Sequence, residues 1–69
     1  MSTNEKLLGS KIKECRIQKN LSQEKLANLC DIETSQISRI ERGIISTSVS
    51  NIFLIAEKLK IKAKDLFEF

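Results

Sequence analysis

The side chains best suited to specific chemistry lie between residues 34 and 42, in what the apolar spacing predicts to be one helix. Opposite Ile37 and Ile40, this helix carries one arc of short hydroxyl and guanidinium side chains: Thr34 at its edge, then Ser35, Ser38, Arg39 and Arg42. Small hydroxyls let a helix approach a surface closely, and an arginine can donate to two acceptors of guanine at once. A simply solvated helix face shows the same pattern, so the pattern alone leaves both interpretations open.

The sequence excludes several kinds of catalysis because it contains no histidine. Without an imidazole, neither a Ser/His nor a Cys/His pair can form, and the commonest metal ligand is missing. The two cysteines, Cys15 and Cys30, are too few for a disulfide scaffold or a zinc site. We expect both to be reduced thiols in the core, with a disulfide or a redox switch as the alternative. We therefore expect no enzyme activity, no cofactor, no metal and no small-molecule substrate.

Length and composition predict one small domain that spans residues 1–69. Apolar residues make up 41% and charged residues 30% of the chain, which is typical of a globular protein. The longest apolar run is far shorter than the roughly 20 residues of a membrane span, and no secretory signal is visible. We therefore expect a cytoplasmic protein without membrane contact. The net charge of +3 permits contact with a polyanion but does not require it.

Five short helices are predicted, because apolar residues recur at helical spacing and the chain contains no proline. Their expected bounds are about Asn4 to Lys19, Gln23 to Cys30, Thr34 to about Arg42, Val49 to Lys60, and Ala63 to Phe67. Short helices with short joins are typical of a compact bundle. The predicted class is therefore all-α, a compact five-helix bundle.

Polar residues and glycines mark the expected helix boundaries. The expected N-caps are Ser2, Thr3 or Asn4 for the first helix, Ser22 for the second, and Ser46, Thr47 or Ser48 for the fourth. Asp31 is expected to end the second helix in the left-handed conformation, and Gly43 is expected to stop the third helix. Gly9 lies inside the first helix, where its cost in helix stability predicts a close approach by another helix.

The middle of the chain has the spacing of a helix-turn-helix over about residues 23–42. Asp31, Ile32 and Glu33 separate the two helices, which is the usual length of this connection. The close crossing of the two helices needs a small residue, and Ala27 supplies it. In such a unit, the helix after the turn, residues 34–42, is expected to carry the polar arc on its outer face.

The sequence of this unit resembles the phage-repressor (Cro/cI-like, XRE) helix-turn-helix family. The run LSQEKLANLCDIETSQISRIERG carries the resemblance, which extends over about residues 7–67. Its specific elements are the spaced pairs Ser22-Gln23, Leu26-Ala27, Ile37-Ser38 and Ile40-Glu41, followed by Gly43. Three features depart from the family pattern: Asp31 replaces the usual turn glycine, Thr47 replaces a common proline, and Ile44-Ile45 occupy a loop that often carries Lys or Arg.

The resemblance implies a lambda-repressor-like domain that regulates transcription as a homodimer on a near-palindromic operator. It implies that residues 34–42 form the major-groove reader, with base-reading positions at Thr34, Ser35, Ser38 and Arg39. It also implies that Gln23 binds a phosphate and that Arg16 and Glu41 form a structural ion pair. Chains of this size in the family resemble restriction–modification controllers, phage or plasmid repressors, and antitoxins.

Further contacts are inferred from the side chains themselves. Arg42 is the expected cationic phosphate contact, and Ser48 and Asn51 are expected to bind a second phosphate at the start of the fourth helix. The predicted inner face of that helix comprises Val49, Ile52, Ile55, Ala56 and Leu59. Other apolar residues lie off the inner stripes: Ile17, Leu29, Ile44, Ile45, Leu54 and Phe69. Leu54 is expected to point away from the core and to form a dimer patch with Phe53 and Phe69.

A rival hypothesis is a protein-interaction module, such as an antitoxin that binds and silences a toxin. The apolar Ile44-Ile45 loop and the modest net charge favour this alternative. Salt dependence separates the two hypotheses, because neutralising phosphates gives a steep salt slope and an apolar protein contact does not.

Overall fold

The structure, a computed structural model, describes residues 3–69 and contains four α-helices followed by a 3-10 helix. The helices are α1 (Thr3–Gln18), α2 (Gln23–Cys30), α3 (Thr34–Glu41) and α4 (Val49–Leu59), and the 3-10 helix is Ala63–Phe67. The all-α class is confirmed, and no strand occurs within residues 3–69. The expected count of five α-helices is wrong, because the last element is a five-residue 3-10 helix. Short final turns commonly take this tighter form.

Side-chain caps begin two of the helices at the expected residues. The Ser22 hydroxyl accepts the Lys25 backbone N–H at 3.0 Å, and the Ser48 hydroxyl accepts the Asn51 backbone N–H at 3.1 Å. Both of these N-cap predictions are confirmed. α1 begins at Thr3, so Thr3 and Asn4 lie inside that helix instead of before it. Ser2, the remaining candidate cap, lies outside the described residues.

Left-handed residues end the helices that flank the turn. Asp31 (φ 58°) follows α2 in this conformation, as predicted, and Gly43 (φ 71°), the predicted stop of α3, adopts it as well. Asn20 and Lys60 adopt the same conformation after α1 and α4, which the sequence did not indicate. Each reversal lets a backbone N–H beyond the helix satisfy a carbonyl of its last turn, as Ile32 N–H does with Ala27 O at 3.0 Å.

The core contains apolar side chains from all five elements. The largest fully buried side chains are Ile12, Leu26, Ile37, Ile55, Leu59 and Leu66. Three expectations about burial are wrong: Val49 is 71% exposed, whereas Leu54 and Ile45 are half-buried and pack against the core. Val49 is the first residue of α4, and α4 contacts both α2 and the 3-10 helix. The other four residues of the predicted inner face are buried as expected: Ile52, Ile55, Ala56 and Leu59.

The predicted close approach at Gly9 is confirmed. α1 packs against α3, and a Cβ atom on Gly9 would lie 2.3 Å from the carbonyl oxygen of Ile40 and 2.6 Å from that of Glu41. Only a residue without a side chain fits at this distance. Gly9 therefore sets how closely α1 supports α3.

Candidate nucleic-acid interface

α2 and α3 form the helix-turn-helix, and their crossing buries one side of each helix. Ala27 and Ile37 are fully buried, and the connection passes from Asp31 to the extended Glu33 before α3 begins. Because Ile37, Ile40 and Glu41 face inward, the opposite side of α3 faces outward. The unit thus presents one polar helix face to the surroundings.

The four residues predicted to read bases lie on this outward face. Thr34, Ser35 and Arg39 are exposed, and Ser38 is half-buried. Arg42 is exposed immediately after α3, where its Nε donates to the Ser38 carbonyl oxygen at 3.4 Å. The structure therefore places four hydrogen-bonding side chains and a second arginine along one eight-residue helix and its end.

A buried ion pair supports α3 from behind. Arg16 Nε donates to Glu41 Oε2 at 2.7 Å, and Arg16 Nη2 donates to Glu41 Oε1 at 3.1 Å. The third nitrogen, Nη1, donates to the Leu21 carbonyl oxygen at 2.7 Å. This bidentate geometry is the favourable arrangement for a guanidinium and a carboxylate. It joins α1, the turn before α2, and the end of α3.

Gln23 extends the same network to the start of α2. Its Nε2 donates to Glu41 Oε1 at 3.0 Å, so one carboxylate holds both Arg16 and Gln23. This bond fixes the Gln23 side chain at the first residue of α2, beside backbone N–H groups that no helix bond uses. The sequence indicated Gln23 as a phosphate contact but did not reveal that Glu41 orients it.

Ser48 and Asn51 come together at the start of α4, but mainly as capping residues. The Ser48 hydroxyl accepts the Asn51 backbone N–H, and Asn51 Nδ2 donates to Thr47 Oγ1 at 3.1 Å. Ser48 is exposed and Asn51 is half-buried. The helix start is therefore ordered by the same two residues that were predicted to bind a phosphate.

The loop between α3 and α4 is attached to α1 in a way the sequence did not indicate. Ser46 Oγ donates to Glu5 Oε2 at 2.9 Å. A Cβ atom on Gly43 would lie 2.7 Å from Lys6 Cα, so the first turns of α1 pack closely on this turn. In the sequence, Gly43 indicated a sharp turn, but nothing indicated that Lys6 of α1 packs against this turn.

The aromatic side chains expected at a dimer patch are exposed. Phe53 is 60% and Phe69 57% exposed, whereas Leu54 is half-buried. The ring centroids of Phe67 and Phe69 lie 6.5 Å apart, beside a surface cavity of about 510 Å³ that Leu8 also lines. Sequence reasoning missed Val49 and Phe67 as exposed apolar residues, because it assigned Val49 to the core and did not assign Phe67 to a surface.

The two thiols are not part of the exposed polar face of α3. Cys15 and Cys30 are both buried and free, and burial raises the pKa of each thiol above its ordinary value. Residues 3–69 contain no group of three or more side chains suited to hold a metal ion. Within the same range, no helix is long and apolar enough to cross a membrane.

The fold and the outward face of α3 define a class of protein. The model of the helix-turn-helix family matches residues 12–66, so the chain belongs to this family, the XRE-type helix-turn-helix proteins. It is a DNA-binding transcriptional regulator. A buried ion pair behind an exposed polar helix fixes the angle of that helix, which suits a protein of this class.

Several relatives narrow the comparison to one kind of regulator. The chain is 45% identical over 71 residues to control protein C.BamHI of Bacillus amyloliquefaciens, an alignment covering 100% of this chain and 88% of that protein. The structure is similar to that of the restriction–modification controller protein C.AhdI from Aeromonas hydrophila, with a TM-score of 0.93, 35% identity, and coverage of 96% and 100% of the two chains. It is also similar to the restriction–modification controller protein C.Esp1396I, with a TM-score of 0.89, 28% identity, and coverage of 99% and 90%.

Proposed function

We propose that this protein is a controller-type regulator of a restriction–modification system that binds a near-palindromic operator as a homodimer. The observation that carries this proposal is the exposed hydroxyl and arginine face of α3, held by the buried Arg16–Glu41 pair. Similarity to three controller proteins supports the choice of system. Residues 1–69 act as a single DNA-binding domain, and the protein works in the cytoplasm, where its operator lies.

Base recognition is assigned to Thr34, Ser35, Ser38 and Arg39. The short hydroxyls allow α3 to lie close to the base edges, and Arg39 reaches two acceptors of a guanine. Arg39 is exposed in the last turn of α3, which suits a side chain that enters the groove. Its guanidinium is therefore the main specificity contact.

Phosphate binding is assigned to residues around the edge of this face. Gln23 offers an oriented amide at the start of α2, and Arg42 offers an exposed positive charge at the end of α3. Ser48 and Asn51 offer polar atoms at the start of α4. Such contacts position the protein on the duplex and are independent of sequence.

Replacing each arginine separately distinguishes reading from positioning. Arg39→Ala is expected to cost about 1–3 kcal/mol of binding and to relax base preference at one position per half-site. Arg42→Ala is expected to weaken binding to specific and mixed DNA alike and to flatten the salt slope by about one unit. Equilibrium binding over a range of salt concentrations measures both effects. An equal loss on all sequences for Arg39→Ala would contradict its assignment as a reader.

Dimerisation is assigned to the patch of Phe53, Leu54 and Phe69, and we include Val49 and Phe67 because both are exposed. One helix-turn-helix reads only a few base pairs, so two copies are needed for specificity. Their α3 helices would enter successive major grooves about 34–36 Å apart. Burying each large apolar side chain contributes about 1.5–3 kcal/mol, and a two-fold interface uses each residue twice.

A charge within the patch is expected to give a folded monomer. Phe53→Asp tests this better than Leu54→Asp, because Phe53 is exposed whereas Leu54 also packs against the core. The variant should keep its helical circular dichroism, sediment as a monomer, and bind the operator at least about tenfold more weakly. Ile17→Asp is the matched control, since Ile17 is 54% exposed on α1. A Phe53→Asp variant that stays dimeric at micromolar concentration would place the interface elsewhere.

Selection of bound duplexes from random DNA is the experiment that tests the whole proposal. We expect a near-palindromic consensus with a steep salt dependence, located beside the protein's own gene or its restriction–modification genes. Failure to enrich any sequence, together with salt-insensitive binding to a partner protein, would support the antitoxin alternative instead. Of the two loop isoleucines that favour the antitoxin alternative, only Ile44 is exposed for contact with a partner protein, because Ile45 packs against the core.

A further inference from the structure

The α3–α4 loop begins with two isoleucines to which the proposed DNA contacts assign no role, and the structure separates their environments. Ile45 is half-buried and packs against the core. Ile44 is 40% exposed and belongs neither to the buried core nor to the side chains packed against it. It lies just beyond the polar face of α3. Single exposed apolar side chains are common on protein surfaces, so its position at the end of α3, and not its exposure, is the reason to consider a binding role.

The backbone holds Ile44 beside Arg39. Gly43 reverses the chain with φ 71°, and the Ile44 N–H then donates to the Arg39 carbonyl oxygen at 3.0 Å. In this helix-ending motif, the residue after the left-handed one commonly packs on the side chain whose carbonyl it binds. The turn is held in place by Lys6 of α1, which packs closely against Gly43. Ile44 and the aliphatic part of Arg39 thus share the same end of the reading helix.

We propose that Ile44 is a specificity residue that contacts the 5-methyl group of a thymine next to the base pair read by Arg39. This inference rests on the proposed DNA-reading role of α3. Thymine is the base that presents a methyl group in the major groove, and apolar side chains recognise it by contact. The two neighbouring side chains then read two neighbouring base pairs, one through hydrogen bonds and the other through apolar contact.

Two other uses of Ile44 are physically distinct from this one. Packing on the sugar–phosphate backbone, or against a second copy of the chain, would bury the same side chain. Neither contact would depend on a methyl group of a base. Removing that methyl group from the DNA therefore isolates the proposed contact from its competitors.

The experiment replaces each thymine of the best selected duplex, one at a time, with deoxyuridine. For the wild-type protein we expect one position per half-site to lose about fourfold in affinity, the equivalent of one buried methyl group. That position should adjoin the base pair at which Arg39→Ala relaxes preference. For Ile44→Ala the loss at this position should disappear, and for Ile44→Val it should be reduced.

Ile17→Ala is the matched control, because Ile17 is an exposed isoleucine on α1 and should leave the deoxyuridine effect unchanged. Circular dichroism and sedimentation of each variant report folding and assembly. The same deoxyuridine loss in wild type and in Ile44→Ala would overturn the proposed contact, as would an effect of Ile44→Ala on dimer dissociation alone. A chain that selects no duplex at all would instead overturn the DNA-reading role of α3, on which this contact depends.

Discussion

Glu41→Ala is expected to destabilise the protein by about 3–5 kcal/mol, the largest effect of any single substitution considered for this chain. The reason is that Arg16, only 8% exposed, would remain buried without its carboxylate partner. Gln23 would lose its acceptor at the same time. A domain of 69 residues has roughly 3–10 kcal/mol of total stability, so the variant should be partly unfolded at room temperature. Thermal unfolding should show a melting temperature lower by about 12 °C or more.

Two further variants separate the buried charge from simple loss of packing. Glu57→Ala removes an exposed carboxylate from α4 and should change the melting temperature little. The double variant Arg16→Met with Glu41→Leu removes both charges, so it should be more stable than Glu41→Ala alone. A melting temperature for Glu41→Ala equal to that of Glu57→Ala would mean that the ion pair does not stabilise the fold.

Gly9→Ala is expected to have the second-largest effect on stability, a loss of about 1–3 kcal/mol in the free energy of unfolding. The new methyl group would meet the backbone carbonyl oxygens of Ile40 and Glu41 at 2.3 and 2.6 Å, and backbone atoms cannot rotate away as a side chain can. α1 and α3 must therefore separate, which outweighs the gain in helix propensity of about 1 kcal/mol that alanine would otherwise bring. Urea unfolding measures the loss.

The same substitution should weaken specific DNA binding, because the displacement moves α3 and loosens the Arg16–Glu41 pair. Ser10→Ala is the control, since Ser10 is exposed on the same helix and gains propensity without a clash. Stabilisation by Gly9→Ala, comparable to that by Ser10→Ala, would contradict the close packing of α1 on α3.

The local features of this protein were determined by its sequence. Helix periodicity placed Thr34, Ser35, Ser38 and Arg39 on one face, and that face is exposed or half-buried as expected. Cap chemistry placed Ser22 and Ser48 at helix starts and Asp31 and Gly43 beyond helix ends. These features depend on a few neighbouring residues and on backbone hydrogen bonds within one turn, so a single sequence contains the information they need.

The contacts between elements were decided only by the tertiary structure. Ile44 and Ile45 are the same residue type in adjacent positions, yet one is exposed and the other packs against the core. Leu54 is half-buried against the core, and Gln23 is oriented by Glu41 from another helix. Residues distant in the chain determine these environments, and the spacing along one helix contains no information about them. Periodicity therefore identified the polar face of α3, whereas packing against α1 and α2 determined how that face is held.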